Sequence, residues 1–369
     1  MHMADALISP AVGGAMWAAT AGLTVYSAKK LKENVDEHIV PLMGVLGAFI
    51  FAAQMLNFTI PATGSSGHLG GGMILAILLG PYAAFLTIAS VITVQALFFA
   101  DGGLLALGCN IFNMGFFPCF IAYPFIYKKI VGEHLTQGRI LAGTMASGII
   151  ALQLGAFAVV LETLSSGISE LPFSTFVLLM QPIHLGIGIV EGLVTAAVVS
   201  FVWKAHPETL ALVTTSTPGK AHSHKPLLIG LALCAVVAGG MLSWFASTHP
   251  DGLEWSIKGV SGQEELEAPK AGVHGAMAWI QEKLAFLPDY DFKKPAEEKG
   301  GKPEEGMAGK EGEQAGKGKE EESWPAVSAG KSLAGILGAA LTLLMAGAIG
   351  LGLRRYYSQG KGIGRRPSL

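Results

Sequence analysis

Charge is scarce in this chain of 369 residues: only 14% are Asp, Glu, Lys or Arg, against about 25% in soluble domains. That deficit excludes an ordinary water-soluble domain. A basic stripe with interleaved aromatics is also missing and the net charge is −2, which excludes a nucleic-acid partner. Only three cysteines occur, Cys109, Cys119 and Cys234. None has a CxxC spacing and all lie in apolar runs, so they read as buried small hydrophobes. The opening MHMADALISP lacks the positive region of a secretory signal, so Met1 is expected to remain as the N-terminus. A phosphate loop is missing too. Ala329-Gly330-Lys331-Ser332 imitates the end of one, but Pro325 stands where the pattern needs glycine, and the segment opens an apolar run.

What is present is apolar sequence: 51% hydrophobic residues, a mean hydropathy of +0.49, and 49 glycines, which suit closely packed membrane helices. A spanning helix takes about 20 apolar residues. Candidates are 11–28, 39–60, 104–127, 140–163, 175–203, 226–247 and 332–353. Residues 69–100 are too long for one crossing and short for two, and Gly80-Pro81 breaks them near the middle. Basic residues settle the count, because short cytoplasmic loops hold the lysines and arginines. Lys29, Lys30 and Lys32, then Lys128, Lys129 and Arg139, then Lys204, Lys220 and Lys225, then Arg354 and Arg355 share one side only if 69–100 crosses twice. The expectation is an all-α polytopic membrane protein of nine spans, N-terminus outside and C-terminus inside, whose short third span, 69–80, leans on its neighbours. It divides into a seven-span helical body (1–205), a cytoplasmic linker (206–225) and a two-span hairpin module (226–369) with a long extracytoplasmic loop at 248–331. Within that loop Pro250-Asp251-Gly252 is a turn signal, 272–287 has helical spacing at Met277, Ile280, Leu284 and Leu287, and 293–323 is a Lys/Glu/Gly-rich disordered linker.

The chemistry begins at the first residue. Met1-His2 offers three nitrogens in a plane: the terminal amine, the His2 amide, and the His2 imidazole Nδ1. Nickel(II) and copper(II) favour such a tetragonal nitrogen set, whereas zinc prefers a tetrahedron and magnesium or calcium prefer oxygen. One corner stays open. The outer loop 61–68 lies on the same side as Met1, and His68 is its only strong ligand. Met1, His2 and His68 therefore make a four-nitrogen square. Asp5 is the one acidic residue that linear order brings to it. His222 and His224 read as solvated linker. Intramembrane polar residues are functional candidates: among them Gln54, Gln95, Asn110, Asn113, His184 and Glu191. His184 and Glu191 share a helix face and could pair, either to orient the site or to lock helices; His184 lies too deep to be a first choice of ligand.

The residues Met1 to Pro10, Ser66-Gly67-His68-Leu69 with Leu78-Leu79-Gly80-Pro81, and the run His184 to Glu191 resemble motifs of the M-type substrate-binding subunits of energy-coupling-factor nickel and cobalt transporters. His249-Pro250-Asp251-Gly252-Leu253-Glu254 resembles the outer loop of the small N-type subunit, so the chain looks like an M–N fusion. The resemblance implies an importer subunit of the bacterial cytoplasmic membrane that is no enzyme itself. Its partners would be a transmembrane coupling subunit (T or Q type) and ATPase subunits (A or O type) that hydrolyse ATP. It implies Ni2+ or Co2+ as transported ligand, held by Met1, His2 and His68; Asp5, Ser66, His184 and Glu191 are candidates to support these ligands from behind. Many relatives read Met-His-Ile-Pro-Asp-Gly where this chain has Met3-Ala4-Asp5-Ala6. Planarity favours nickel; the alternative is a Co2+ importer component serving cobalamin synthesis. A proton-coupled permease would need mid-membrane acidic relays, and only Glu191 is deep, with Glu162 near the outer end. A metalloenzyme would need a general base at an open site.

Overall fold

The computed structural model describes residues 2–33, 39–132, 134–205, 225–293 and 324–363. Met1, the linker histidines His222 and His224, and residues 294–323 of the proposed disordered stretch lie outside the described residues.

Helix α1 (Pro10–Glu33) starts where Pro10 presets the helical φ and the Ser9 hydroxyl accepts from the Val12 amide (3.4 Å); Lys30 and Lys32 close it against the negative end of its dipole. Helix α2 (Ile39–Gln54) ends before the expected 60, because Phe58–Ile60 forms strand β1 and pairs antiparallel with β2 (Ser65–Gly67), Phe58 opposite Gly67 and Ile60 opposite Ser65. An apolar run does not itself distinguish helix from strand, and the fold is accordingly not wholly helical. Helices α3 (Gly72–Leu79) and α4 (Pro81–Phe98) are separated at the expected break, where Gly80 takes φ 77°, open to glycine without strain. All eight residues of α3 are buried, and the helix is only about 12 Å long. Helix α5 (Leu107–Val131) carries wider, π-type turns over Phe112–Tyr127, where Pro118 and Pro124 each lack an amide donor. Helix α6 (Gln137–Ser166) is capped by Thr136 and packs along α7 (Phe173–Ala205).

Two more apolar helices, α8 (Lys225–Gly240) and α11 (Ala329–Ile363), lean on each other and on α2. Their crossing needs glycine on both sides: a Cβ on Gly335 would stand 2.2 Å from the Gly239 carbonyl oxygen. Between them lie α9 (Gly252–Ser261), against α7, and α10 (Gly272–Leu284), against α4. Within α10's expected apolar stripe, Met277 and Ile280 pack on the core but Leu284 is exposed.

Helices thus occupy each of the nine expected positions. Among the described residues five are long and apolar enough to cross a membrane: α4, α5, α6, α7 and Ala329–Arg355 of α11; α2 and α8 are apolar but shorter. Large apolar side chains point outward, Leu178 71% and Ile229 67% exposed, which suits a lipid surround. Cys109 and Cys119 are buried as expected; Cys234 is exposed instead, outside the buried set of α8 (Leu227, Leu231, Ala235 and Ala238).

Candidate metal centre

The N-terminal segment is fixed before α1 begins. Met3 is fully buried, and the Asn110 side-chain amide pairs with both its backbone groups, accepting from its N–H (2.8 Å) and donating to its carbonyl (3.2 Å). The Gly103 amide donates to the same carbonyl (2.9 Å), and His274 of α10 donates from Nε2 to the Ile8 carbonyl (2.9 Å). Asp5 accepts from the Ala106 amide (2.9 Å), so it ties this segment to α5's start. His2 is held beside His68, ring centroids 5.1 Å apart and nearly stacked at 28°.

The tautomer of each ring is fixed by an acceptor. The chain of contacts starts at the Gly70 carbonyl, which can only accept. Gln54 must turn Nε2 to it (2.8 Å), so Gln54 Oε1 accepts from Gln95 Nε2 (2.9 Å), and Gln95 Oε1 is left to accept from His2 Nε2 (3.0 Å). His2 therefore carries its proton on Nε2 and presents Nδ1, the nitrogen needed for a chelate with its own amide. His68 donates from Nδ1 to the Leu69 carbonyl (3.0 Å) and presents Nε2. Burial lowers both histidines below the usual value, His68 to about 3, so each ring is neutral at pH 7, the state a metal requires.

The loop carrying His68 is held from two sides. Glu191 accepts from the Gly70 amide at Oε2 (2.9 Å) and the Gly71 amide at Oε1 (3.0 Å). Ser66 donates its amide to the Pro250 carbonyl (2.8 Å) and its hydroxyl to the His249 carbonyl (2.8 Å). Pro250-Asp251-Gly252, expected to be a turn, instead starts α9. Asp251 accepts from the amides of Leu253 and Glu254 (2.8 Å each), and Glu254 accepts in return from the Asp251 amide (2.9 Å).

Two expectations meet the structure differently. His184 and Glu191 do not pair: His184 donates from Nδ1 to the Met180 carbonyl (2.8 Å) on its own helix, while Glu191 serves the glycine loop. Asp5 is not the one acidic residue near the site. Asp101 Oδ1 lies 3.4 Å from His2 Nδ1, and Asp251 joins His2, His68 and Asp101 in lining a cavity of about 1240 Å³. Burial pushes the Asp251 carboxyl up, but the positive charge of the terminal amine and the Glu254 amide hold it below the usual carboxylate range. Glu162, near the end of α6, is buried and accepts from Asn113 (2.8 Å). His184, expected to support the site from behind, lines one small cavity with His68 and Asp251. Asp251 reaches these rings from far along the chain; its capping pattern Asp-x-x-Glu was legible, its destination was not.

Among the described residues no three His, Cys, Asp or Glu side chains stand at metal-ligand spacing.

The chain matches the family described as cobalt uptake substrate-specific transmembrane region over residues 2–209, and the PDGLE domain over residues 225–355. It is 34% identical over 220 residues to a protein of Archaeoglobus fulgidus provisionally named a fused nickel transport protein, NikMN, covering 60% of this chain and 70% of that one. It is 30% identical over 311 residues to the fused nickel transport protein NikMN of Rhodobacter capsulatus, covering 79% of this chain and 88% of that one. A crystal structure of a truncated transition-metal transporter superposes with a TM-score of 0.50 at 31% identity, covering 56% of this chain and all of that one. With a body of one family and a PDGLE module behind it, the chain is a multi-pass membrane protein of the cobalt uptake substrate-specific transmembrane family, an M–N fused nickel/cobalt transporter.

Proposed function

We propose that this chain is the substrate-binding component of an energy-coupling-factor importer for Ni2+, which binds the ion in a square of four nitrogens: the Met1 amine, the His2 amide, His2 Nδ1 and His68 Nε2. The observation that carries this reading is the pinned pair of rings. The Gly70–Gln54–Gln95 chain leaves His2 with Nδ1 unprotonated, and the Leu69 carbonyl leaves His68 with Nε2 unprotonated. Outer hydrogen bonds of this kind set ligand orientation and basicity at metal sites. A planar nitrogen set favours Ni(II).

The chain divides into a metal-binding body, residues 1–205, and a module, residues 226–369, whose loop bears on the site. His2, His68 and Asp251 face outside, and the C-terminus faces the cytoplasm. Asp5 and Ser66 secure the two ligand-bearing segments, and Glu191 the turn after His68. Energy comes from partners: a membrane coupling subunit and a pair of ATPases.

The test is metal analysis and visible absorption of untagged protein whose free Met1 is verified by mass spectrometry. Stoichiometric nickel with a yellow, diamagnetic spectrum is expected, lost when residues are added ahead of Met1. Undiminished nickel affinity in the extended chain refutes the ligand set, and preference for cobalt in a non-planar spectrum moves the substrate to Co2+. Co-purification of a membrane subunit and an ATPase pair, with ATP-dependent nickel uptake in vesicles, tests the coupling.

A further inference from the structure

His184 is placed like a metal ligand that has no assigned metal. It sits in α7, 1% exposed, with Nδ1–H donated to the Met180 carbonyl (2.8 Å). A carbonyl on Nδ1 leaves Nε2 with its lone pair, the arrangement found behind metal-bound imidazoles. That Nε2 is buried and has no hydrogen-bond partner among the described residues. A buried polar atom without a partner calls for a reason.

Its neighbours supply the reason. His184 lines a small cavity with His68 and Asp251, with about 10 Å³ of free space, on the scale of a single water or a bare cation. His68 presents Nε2 in the same way, its Nδ1 taken by the Leu69 carbonyl. Gly252 closes the wall: a Cβ there would come within 3.1 Å of His184 Cε1, so only glycine brings the start of α9 this near. Met114 lines both this cavity and a second small one, which Asn113 and Glu191 also line.

We infer that His68, His184 and Asp251 form an inner site that receives the divalent ion as it leaves the terminal chelate. This rests on the proposed function for the upper site. Two imidazoles and a carboxylate suit Ni2+, Co2+ or Zn2+ alike. They include no amide nitrogen, so the ion is held without the deprotonation that the upper chelate requires. His68 belongs to both sites, which lets the ion change its other ligands while one bond stays in place. The three groups line the cavity but do not stand at metal-ligand spacing, so binding requires them to close on the ion. Because Asp251 comes from the second module, the body has the complete inner site only while that module is seated.

The experiment separates the two sites by chain end. A chain extended ahead of Met1 removes the upper chelate; it is titrated with Co2+ alone and followed by visible absorption, beside native chain titrated with Ni2+. The expected result is one Co2+ per extended chain with the intense spectrum of a non-planar nitrogen and oxygen site. His184→Gln and Asp251→Asn, each in the extended chain, should weaken it at least tenfold. Asn retains the helix cap, so Asp251→Asn tests the charge without unfolding α9, and elution and melting temperature check both variants. Cobalt affinity unchanged in both variants overturns the inner site. So does an extended chain that takes up no Co2+ while the native chain binds stoichiometric nickel. Failure of the native chain to bind nickel strikes the proposed function instead, and the cobalt titration of the extended chain still decides the inner site.

Discussion

Replacing Gln95 by methionine should leave every proposed ligand in place and still weaken nickel binding about 10- to 100-fold. Gln95 is 1% exposed, accepts from His2 Nε2 (3.0 Å), and is itself oriented by Gln54 (2.9 Å). Methionine fills a similar length but cannot accept that proton effectively. Two changes follow in the metal-free protein. The buried Nε2–H loses its partner, a penalty of about 1–3 kcal/mol. The ring can then shift its proton to Nδ1, where Asp101 Oδ1 stands 3.4 Å away. Binding must reverse that shift, so the metal-free state is stabilised and the loaded state is not. A loss of 10- to 100-fold corresponds to about 1.4–2.8 kcal/mol, within the range of one buried orphaned donor. The assay is nickel competition against a chelator at fixed pH, on detergent-purified protein with a free Met1. Gln95→Glu supplies the contrast: a carboxylate still accepts from Nε2–H, so the variant should bind nickel more tightly than Gln95→Met. Affinity of Gln95→Met within twofold of the parent, or no difference between the two variants, would refute the tautomer argument.

Three further outcomes are expected. Glu191→Gln removes one of the acceptors for the Gly70 and Gly71 amides; bonds to a charged group are worth about 1.5–3 kcal/mol, so hydrogen exchange at residues 69–72 should accelerate, and unchanged protection would show that the loop is held otherwise. Gly252→Ala places a Cβ 2.7 Å from Ile183 Cγ2, which should lift the start of α9 and expose the Ser66 amide to exchange; retained protection there would mean that α7 yields instead. The metal-free protein should become less stable as pH falls from about 6.5 toward 3. His68 is lowered to about 3 by burial, so across that window the unfolded chain binds the extra proton and stability rises with pH. Melting temperatures in chelator should show this slope, reduced in His68→Leu; an equal slope in both would remove His68 as its source.

Much of the architecture was legible because membrane helices announce themselves locally. Apolar runs and basic loops located the helices, and Gly80-Pro81 gave the break between α3 and α4 at the residue where it occurs. Phe58–Ile60 was misread as the end of a helix, since a strand of three residues has no period of its own and exists only through its partner Ser65–Gly67. The site was legible in part for the same reason. The Met1-His2 chelate is a property of adjacent atoms, and His68 is named by its loop. Asp101 and Asp251 were missed because their positions depend on how segments far apart in sequence are stacked. The supposed His184–Glu191 pair failed for a similar reason. Equal helix phase placed both side chains on one face, but each found a backbone partner closer than the other.

The seam between the two parts of the chain is stitched by main-chain bonds: Ser66 to Pro250, Ser247 to Asn57 (2.8 Å) and Asp289 to Phe99 (2.9 Å), with Gln281 reaching the carbonyls of Ala96 (2.9 Å) and Gly102 (2.7 Å). None of these contacts uses residues 206–224. Two separate polypeptides of the same sequences are therefore expected to form every one of these bonds. What the fusion contributes is equal copy number and a high effective concentration of each half near the other. Cutting the chain at this point is expected to alter how often the seam forms and to leave its geometry unchanged.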